Sequence, residues 1–201
     1  LWLINSHNGI KEKGIKRIDI EEYPAIKEHL DNYYSQLEKR ADKGDTPYNL
    51  RNCAYMEDFS KQKIIYIEIM TDNPEEGYDF PCFAFDTKGA VTLNTAYIMC
   101  GKELNLKYIL SILNSKLGKR MVKYYVVQLQ NRQFRMLHQY VQNFPIPKSN
   151  DEKMTTYKKL ADRILNLKEN NLDHTNEENN LDSLIYNLFS LSKEEIEFIE
   201  S

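Results

Sequence analysis

Three runs rich in β-branched and aromatic residues follow one another in the first half of the chain: Lys63-Ile-Ile-Tyr-Ile-Glu-Ile-Met, Asp79-Phe-Pro-Cys-Phe-Ala-Phe-Asp and Ala90-Val-Thr-Leu-Asn-Thr-Ala-Tyr-Ile-Met. Turn-forming residues, Asp72-Asn-Pro and Lys88-Gly, separate them, so they predict three strands of one sheet. Helical periods stand on both sides. Before them, Ile26, Leu30, Tyr33, Leu37 and Ala41 recur at spacings of three and four over residues 19 to 42, with Pro24 in the first turn and Gly44 beyond the end. After them, Leu106, Leu110, Leu113, Leu117, Met121 and Tyr124 lie on one side of a helix running from Asn105 to about Tyr125. The grouping predicts an α/β fold of the α+β kind, a mixed or antiparallel sheet with packed helices.

Phe144-Pro-Ile-Pro can continue neither a helix nor a central strand, and it marks a boundary. A first domain over residues 1–147 and a helical spacer or tail over 148–201 are expected. The tail predicts a helix from Asp151 to Lys168, a polar linker, a helix from Leu181 to Leu188, and a last helix from Lys193 to Ile199 capped by Ser192 with Glu195 three residues on.

With 201 residues, 41% of them hydrophobic and 28% charged, the chain reads as globular, and no apolar run is long enough to cross a bilayer. It opens in Leu1-Trp-Leu-Ile-Asn without an initiator Met, as a piece of a longer polypeptide does. Cys53, Cys82 and Cys100 form no C-x-x-C pair, which argues against a disulfide framework or zinc site and for buried thiols in a cytoplasmic protein. His7, His29, His138 and His174 stand far apart, outside any metal-binding spacing, with His29 expected on a helix surface. The acidic pairs at 21–22, 75–76, 177–178 and 194–195 read as solvated loop or helix-start carboxylates. Glycine-loop fingerprints for phosphates or nucleotides are missing, as is a serine nucleophile elbow. No catalytic residue, metal ligand or cofactor site is expected in this chain.

Charge is distributed unevenly. The net charge is −3, yet Lys102 to Lys148 carries +8 and Lys168 to Ser201 carries −7. Within the basic segment, Lys116, Lys119, Arg120 and Lys123 share one helix face. Gln128, Gln130, Asn131, Arg132, Gln133, Arg135 and His138 follow. Such a set combines cations for phosphates with side chains that pair with base edges. A merely solvated surface can have the same composition, so the residues alone leave both readings open.

Several segments occur in a distinctive order: His7-Asn-Gly-Ile-Lys, Tyr23-Pro-Ala-Ile-Lys-Glu-His-Leu, Lys39-Arg-Ala-Asp-Lys-Gly, Tyr48-Asn-Leu-Arg-Asn-Cys-Ala-Tyr, Lys63-Ile-Ile-Tyr, Leu106-Lys-Tyr-Ile-Leu-Ser-Ile-Leu-Asn-Ser-Lys-Leu and Phe144-Pro-Ile-Pro. In that order the chain resembles the TaqI-like C-terminal specificity domain of bacterial type IIG restriction-modification enzymes. It is also similar to type I specificity subunits, whose recognition domain ends in a Pro-x-Pro turn before a spacer helix.

The resemblance implies a target-recognition domain that binds double-stranded DNA. It also implies a methyltransferase domain in the same polypeptide, making N6-methyladenine from S-adenosylmethionine, and often a nuclease domain using Mg²⁺. The Asn-Pro-Pro-Tyr catalytic motif of such enzymes is absent from these residues. On this reading Lys116, Lys119, Arg120 and Lys123 meet phosphates, and Gln130, Asn131, Arg132, Gln133 and Arg135 face base edges. Arg51, Lys61 and Lys63 are secondary candidates near the start of the first strand, where the aromatics and Cys53 of residues 48–55 read as packing. The rival expectation is a protein-interaction module whose basic face docks the methyltransferase domain.

Overall fold

A computed structural model describes residues 2–77 and 79–201; Leu1, on which the sequence opens, lies outside them. Among the described residues there are eight α-helices, five strands and two antiparallel sheets, an α+β arrangement. The chain divides into two compact units, residues 1–58 and 59–201. The C-terminal helices pack inside the second unit.

In the first unit, the expected helix over 19–42 is two short ones, α1 (Pro24–Asp31) and α2 (Tyr34–Lys39). The break lies where the Asn32 amide donates back to the carbonyls of Glu28 (3.1 Å) and His29 (3.3 Å), capping α1 early. Asn49 organises this unit from a buried position: its amide donates to Ile18 O (3.0 Å), and its Oδ1 accepts from Thr46 Oγ1 (2.6 Å). The Asn49 carbonyl accepts from Arg40 Nη2 at 2.7 Å. Of the residues expected to pack here, Tyr48 and Cys53 are half-buried and Tyr55 is exposed, while the polar Asn49 is buried.

The second unit is built on β1 (Lys63–Ile67), flanked antiparallel by β3 (Phe83–Asp86) and β4 (Ala96–Cys100). Ile64 and Tyr66 alternate inward with Phe83, as a half-buried strand requires. The expected run to Met70 is interrupted at Glu68. There the chain leaves the first sheet and continues as β2 (Ile69–Thr71), paired with β5 (Gln133–Arg135). β5 is absent from the sequence reading, although Phe134 and Met136 are buried and alternate with Gln133 and Arg135.

The expected 105–125 helix is also two, α3 (Glu103–Leu113) and α4 (Lys116–Tyr125). Asn114 breaks it by pairing with the backbone of Phe83, accepting from its N–H at 3.0 Å and donating to its carbonyl at 2.8 Å. Ser115 then starts α4 by accepting from Gly118 N–H at 3.0 Å. A β-carbon at Gly118 would lie 2.2 Å from the Leu113 carbonyl, so only glycine lets the two helices turn this closely.

Beyond the short α5 (His138–Val141), α6 (Asp151–Glu169) packs on α3, and Tyr108 Oη donates to the Pro147 carbonyl at 2.8 Å below the Pro-Ile-Pro turn. α7 (Thr175–Leu188) starts earlier than expected, inside the polar stretch, because Asp173 accepts from Thr175 N–H and two glutamates occupy the first turn. Those glutamates also reach α6: Glu177 pairs with Arg163 at 2.7 Å and Glu178 with Lys168 at 2.9 Å. α8 (Lys193–Glu200) has the Ser192/Glu195 capping box that the sequence predicts. Of the cysteines, Cys53 and Cys82 are half-buried and Cys100 is exposed, so burial is less complete than expected.

Candidate nucleic-acid interface

The Gln/Arg segment is the tip of a β-hairpin. Leu129 N–H donates to Gln133 O at 2.7 Å, and Arg135 N–H donates to Val127 O at 3.0 Å. At the turn Gln133 N–H closes on Gln130 O at 3.3 Å, with Asn131 at φ +56° and Arg132 at φ +61°. Two successive left-handed residues match the right-handed twist of a hairpin. Asn tolerates this region, so the strain, about 1–2 kcal/mol, falls on Arg132.

Asp72, directly after β2, offsets that strain. Its backbone N–H donates to Arg132 O at 3.2 Å, and its carbonyl accepts from Arg132 Nη2 at 3.0 Å. Its carboxylate accepts from Arg132 Nε at 2.6 Å and pairs with Lys123 Nζ of α4 at 2.7 Å. The Asp72 side chain is 7% exposed, and hydrogen bonding to Arg132 and then Lys123 outweighs burial, holding its pKa down at about 2. One strand away, Arg135 Nε pairs with Glu68 at 3.0 Å. The helix cation and the hairpin tip are thus fastened to one carboxylate that lies far from both in sequence.

Not all of the basic face of α4 is open to a ligand. Arg120 donates to the carbonyls of Phe198 (2.6 Å) and Ile199 (3.2 Å), closing the C-terminal end of α8, and its guanidinium lies 4.8 Å from the Phe198 ring centroid. Lys116 Nζ sits 3.1 Å from Glu200 and 3.9 Å from Asp182. The acidic C-terminal part of the sequence is, at these two residues, a counter-charge for the basic part. Lys119 is exposed and forms no salt bridge among the described residues.

A family model described as the TaqI-like C-terminal specificity domain matches residues 9–146. The chain belongs to this family of specificity domains of restriction-modification enzymes. In the specificity domain the match takes in α4 and the hairpin and ends at Ile146 in the Pro-Ile-Pro turn, whereas α6, α7 and α8 lie beyond it.

Lys63 has no place at an exposed site of the specificity domain. It is fully buried, donates to Phe59 O at 2.6 Å and pairs with Asp86, which lies directly across from it on β3. Its inclusion with Arg51 and Lys61 is corrected by that burial; the other two are exposed, Arg51 in the first unit and Lys61 in the second. Gln130 and Asn131 are exposed at the hairpin tip, and Gln133 is half-buried.

Sequence reasoning missed Asp72 and Glu68, because an acid in a turn or strand carries no mark of the cations that fold onto it. Among the described residues, no three His, Cys, Asp or Glu side chains gather to hold a metal ion, and no helix is long and apolar enough to cross a membrane.

Proposed function

We propose that this specificity domain recognises double-stranded DNA through the surface where α4 meets the hairpin. The observation that carries the reading is the convergence of Lys123 and Arg132 on Asp72, because it joins a phosphate-seeking helix to a tip bearing Gln130 and Asn131. Lys119 and Lys123 would neutralise phosphates, and residues 130–135 would face the base edges. Lys116 and Arg120, occupied by α8, are assigned a lesser share. The recognition domain would run to residue 147, in keeping with a family match ending at 146.

Methylation and cleavage belong, on this reading, to other domains of a type IIG polypeptide in the cytoplasm. S-adenosylmethionine and Mg²⁺ would bind there, and the methyltransferase domain would flip an adenine out of the duplex that this domain holds. One observation favours a second reading: Lys116 and Arg120 already bind an acidic helix, as a face that docks acidic protein would.

Salt-titrated binding of duplex DNA to the chain separates the two. Duplex binding whose salt slope falls by about one with Lys119→Gln, and again with Lys123→Gln, is the expected result. Unchanged affinity and slope in both variants would refute the assignment of this surface.

A further inference from the structure

Resting on that reading, we propose that Asp72 is a positioning residue for sequence discrimination: it touches no DNA itself, but fixes the shape of the hairpin tip that does. It has three attachments to Arg132, through its own N–H, carbonyl and carboxylate, and one to Lys123. Thr71 adds a fourth tie to the tip, its Oγ1 donating to the Arg132 carbonyl at 3.2 Å. The turn holds two non-glycine residues in the left-handed region, a conformation that persists only where surrounding bonds over-determine it. Readout of base edges needs the tip held in one geometry, since a bidentate contact fails when its donors move.

Asp72 has a second, opposing effect. As an anion between two cations it cancels one positive charge of a surface meant for a polyanion. A residue that strengthened general DNA affinity would not be an acid. Its cost in affinity makes sense where the gain is discrimination, because specificity is the difference between two affinities. Neutralising Asp72 should therefore move two observables in opposite directions, which simple damage to the fold cannot do.

The test uses the 201-residue chain, a random duplex pool to select a preferred sequence, and salt-titrated affinities for that duplex and a scrambled one. Asp72→Asn is expected to bind the scrambled duplex roughly fivefold to tenfold more tightly at 0.1 M salt, with the slope steeper by about one. Its ratio of selected to scrambled affinity should fall at least about tenfold, the scale of one lost base contact. Lys123→Met, which leaves the Arg132 attachments in place, should bind both duplexes more weakly and keep the ratio within about threefold, as loss of a phosphate contact does.

Should Asp72→Asn fail to fold, Asp72→Ser, which retains a short acceptor without the charge, is expected to show the same opposed shifts. A neutralised variant that kept the wild-type ratio would overturn the positioning role alone. Wild-type protein that bound no duplex would instead overturn the DNA-binding reading beneath it.

Discussion

Lys63 and Asp86 face each other across β1 and β3, and their charges meet inside the protein: the lysine is fully buried and the Asp86 side chain is 11% exposed. Asp86 also accepts from the N–H groups of Lys88 (3.1 Å) and Ala90 (3.0 Å). Burial pushes the Asp86 carboxyl up, but Lys63 and those two N–H groups together hold it below the usual carboxylate range. Lys63→Met should cost about 3–5 kcal/mol, because a buried carboxylate loses its counter-ion. Adding Asp86→Asn should recover a substantial part, as the unpaired charge disappears; urea unfolding of the single and double variants measures this.

At Asp72 the low pKa makes stability depend on pH. The group sits at about 2 in the folded protein against an ordinary value of 3.8, so the unfolded chain binds the proton first as pH falls. The stabilisation is complete above about pH 4 and lost between about 4 and 2. Its size is about 2 kcal/mol at most, since the exposed Arg132 partner is screened by solvent. Denaturant unfolding from pH 6 to 2 should show this loss in the wild type, and Asp72→Asn should lack that share of it.

Gly118 admits no side chain. Gly118→Ala would place a β-carbon 2.2 Å from Leu113 O and 2.5 Å from Ile112 O, both backbone atoms that cannot swing aside. A loss of about 3 kcal/mol is expected, despite alanine's better helix propensity, which would otherwise favour the change by about 1 kcal/mol. Thermal unfolding checks the sign: a rise in Tm would contradict the close α3–α4 turn.

Arg120 holds α8, which has no fully buried residue of its own. Arg120→Ala should lower amide-exchange protection over residues 193–200 by about 1–2 kcal/mol while leaving α3 protected, since it removes charged donors to two carbonyls. Equal protection in both proteins would mean that Ile196 and Ile199, packed against the core, hold the helix alone.

Much of the fold is legible in the residue pattern. Ile64 and Tyr66 announce an inward-facing strand by period two, and Ser192 with Glu195 announces α8 by its capping box. The helix breaks at Asn32 and Asn114 are harder to read, because the apolar period runs on through both and only a side-chain amide bonding to backbone ends each helix. The hairpin at 130–133 is hidden for a related reason. Its turn lacks the glycine that normally marks two left-handed residues, and the bonds that replace it come from Asp72, about sixty positions away.

By itself the sequence determined the α+β class, the family, and the basic segment with its Gln/Arg-rich continuation. Periodicity, capping and segment order are local or linear properties of the chain, and reading them needs no coordinates. Tertiary structure decided which of the cations remain available. Lys63 is spent on Asp86 in the core, Lys116 and Arg120 on α8, and Lys123 and Arg132 share Asp72, while Lys119 stays exposed. Charge in a sequence is a sum, whereas charge at a surface depends on which counter-ions the fold brings within about 4 Å, where pairing outweighs solvation only if the partner is held in place.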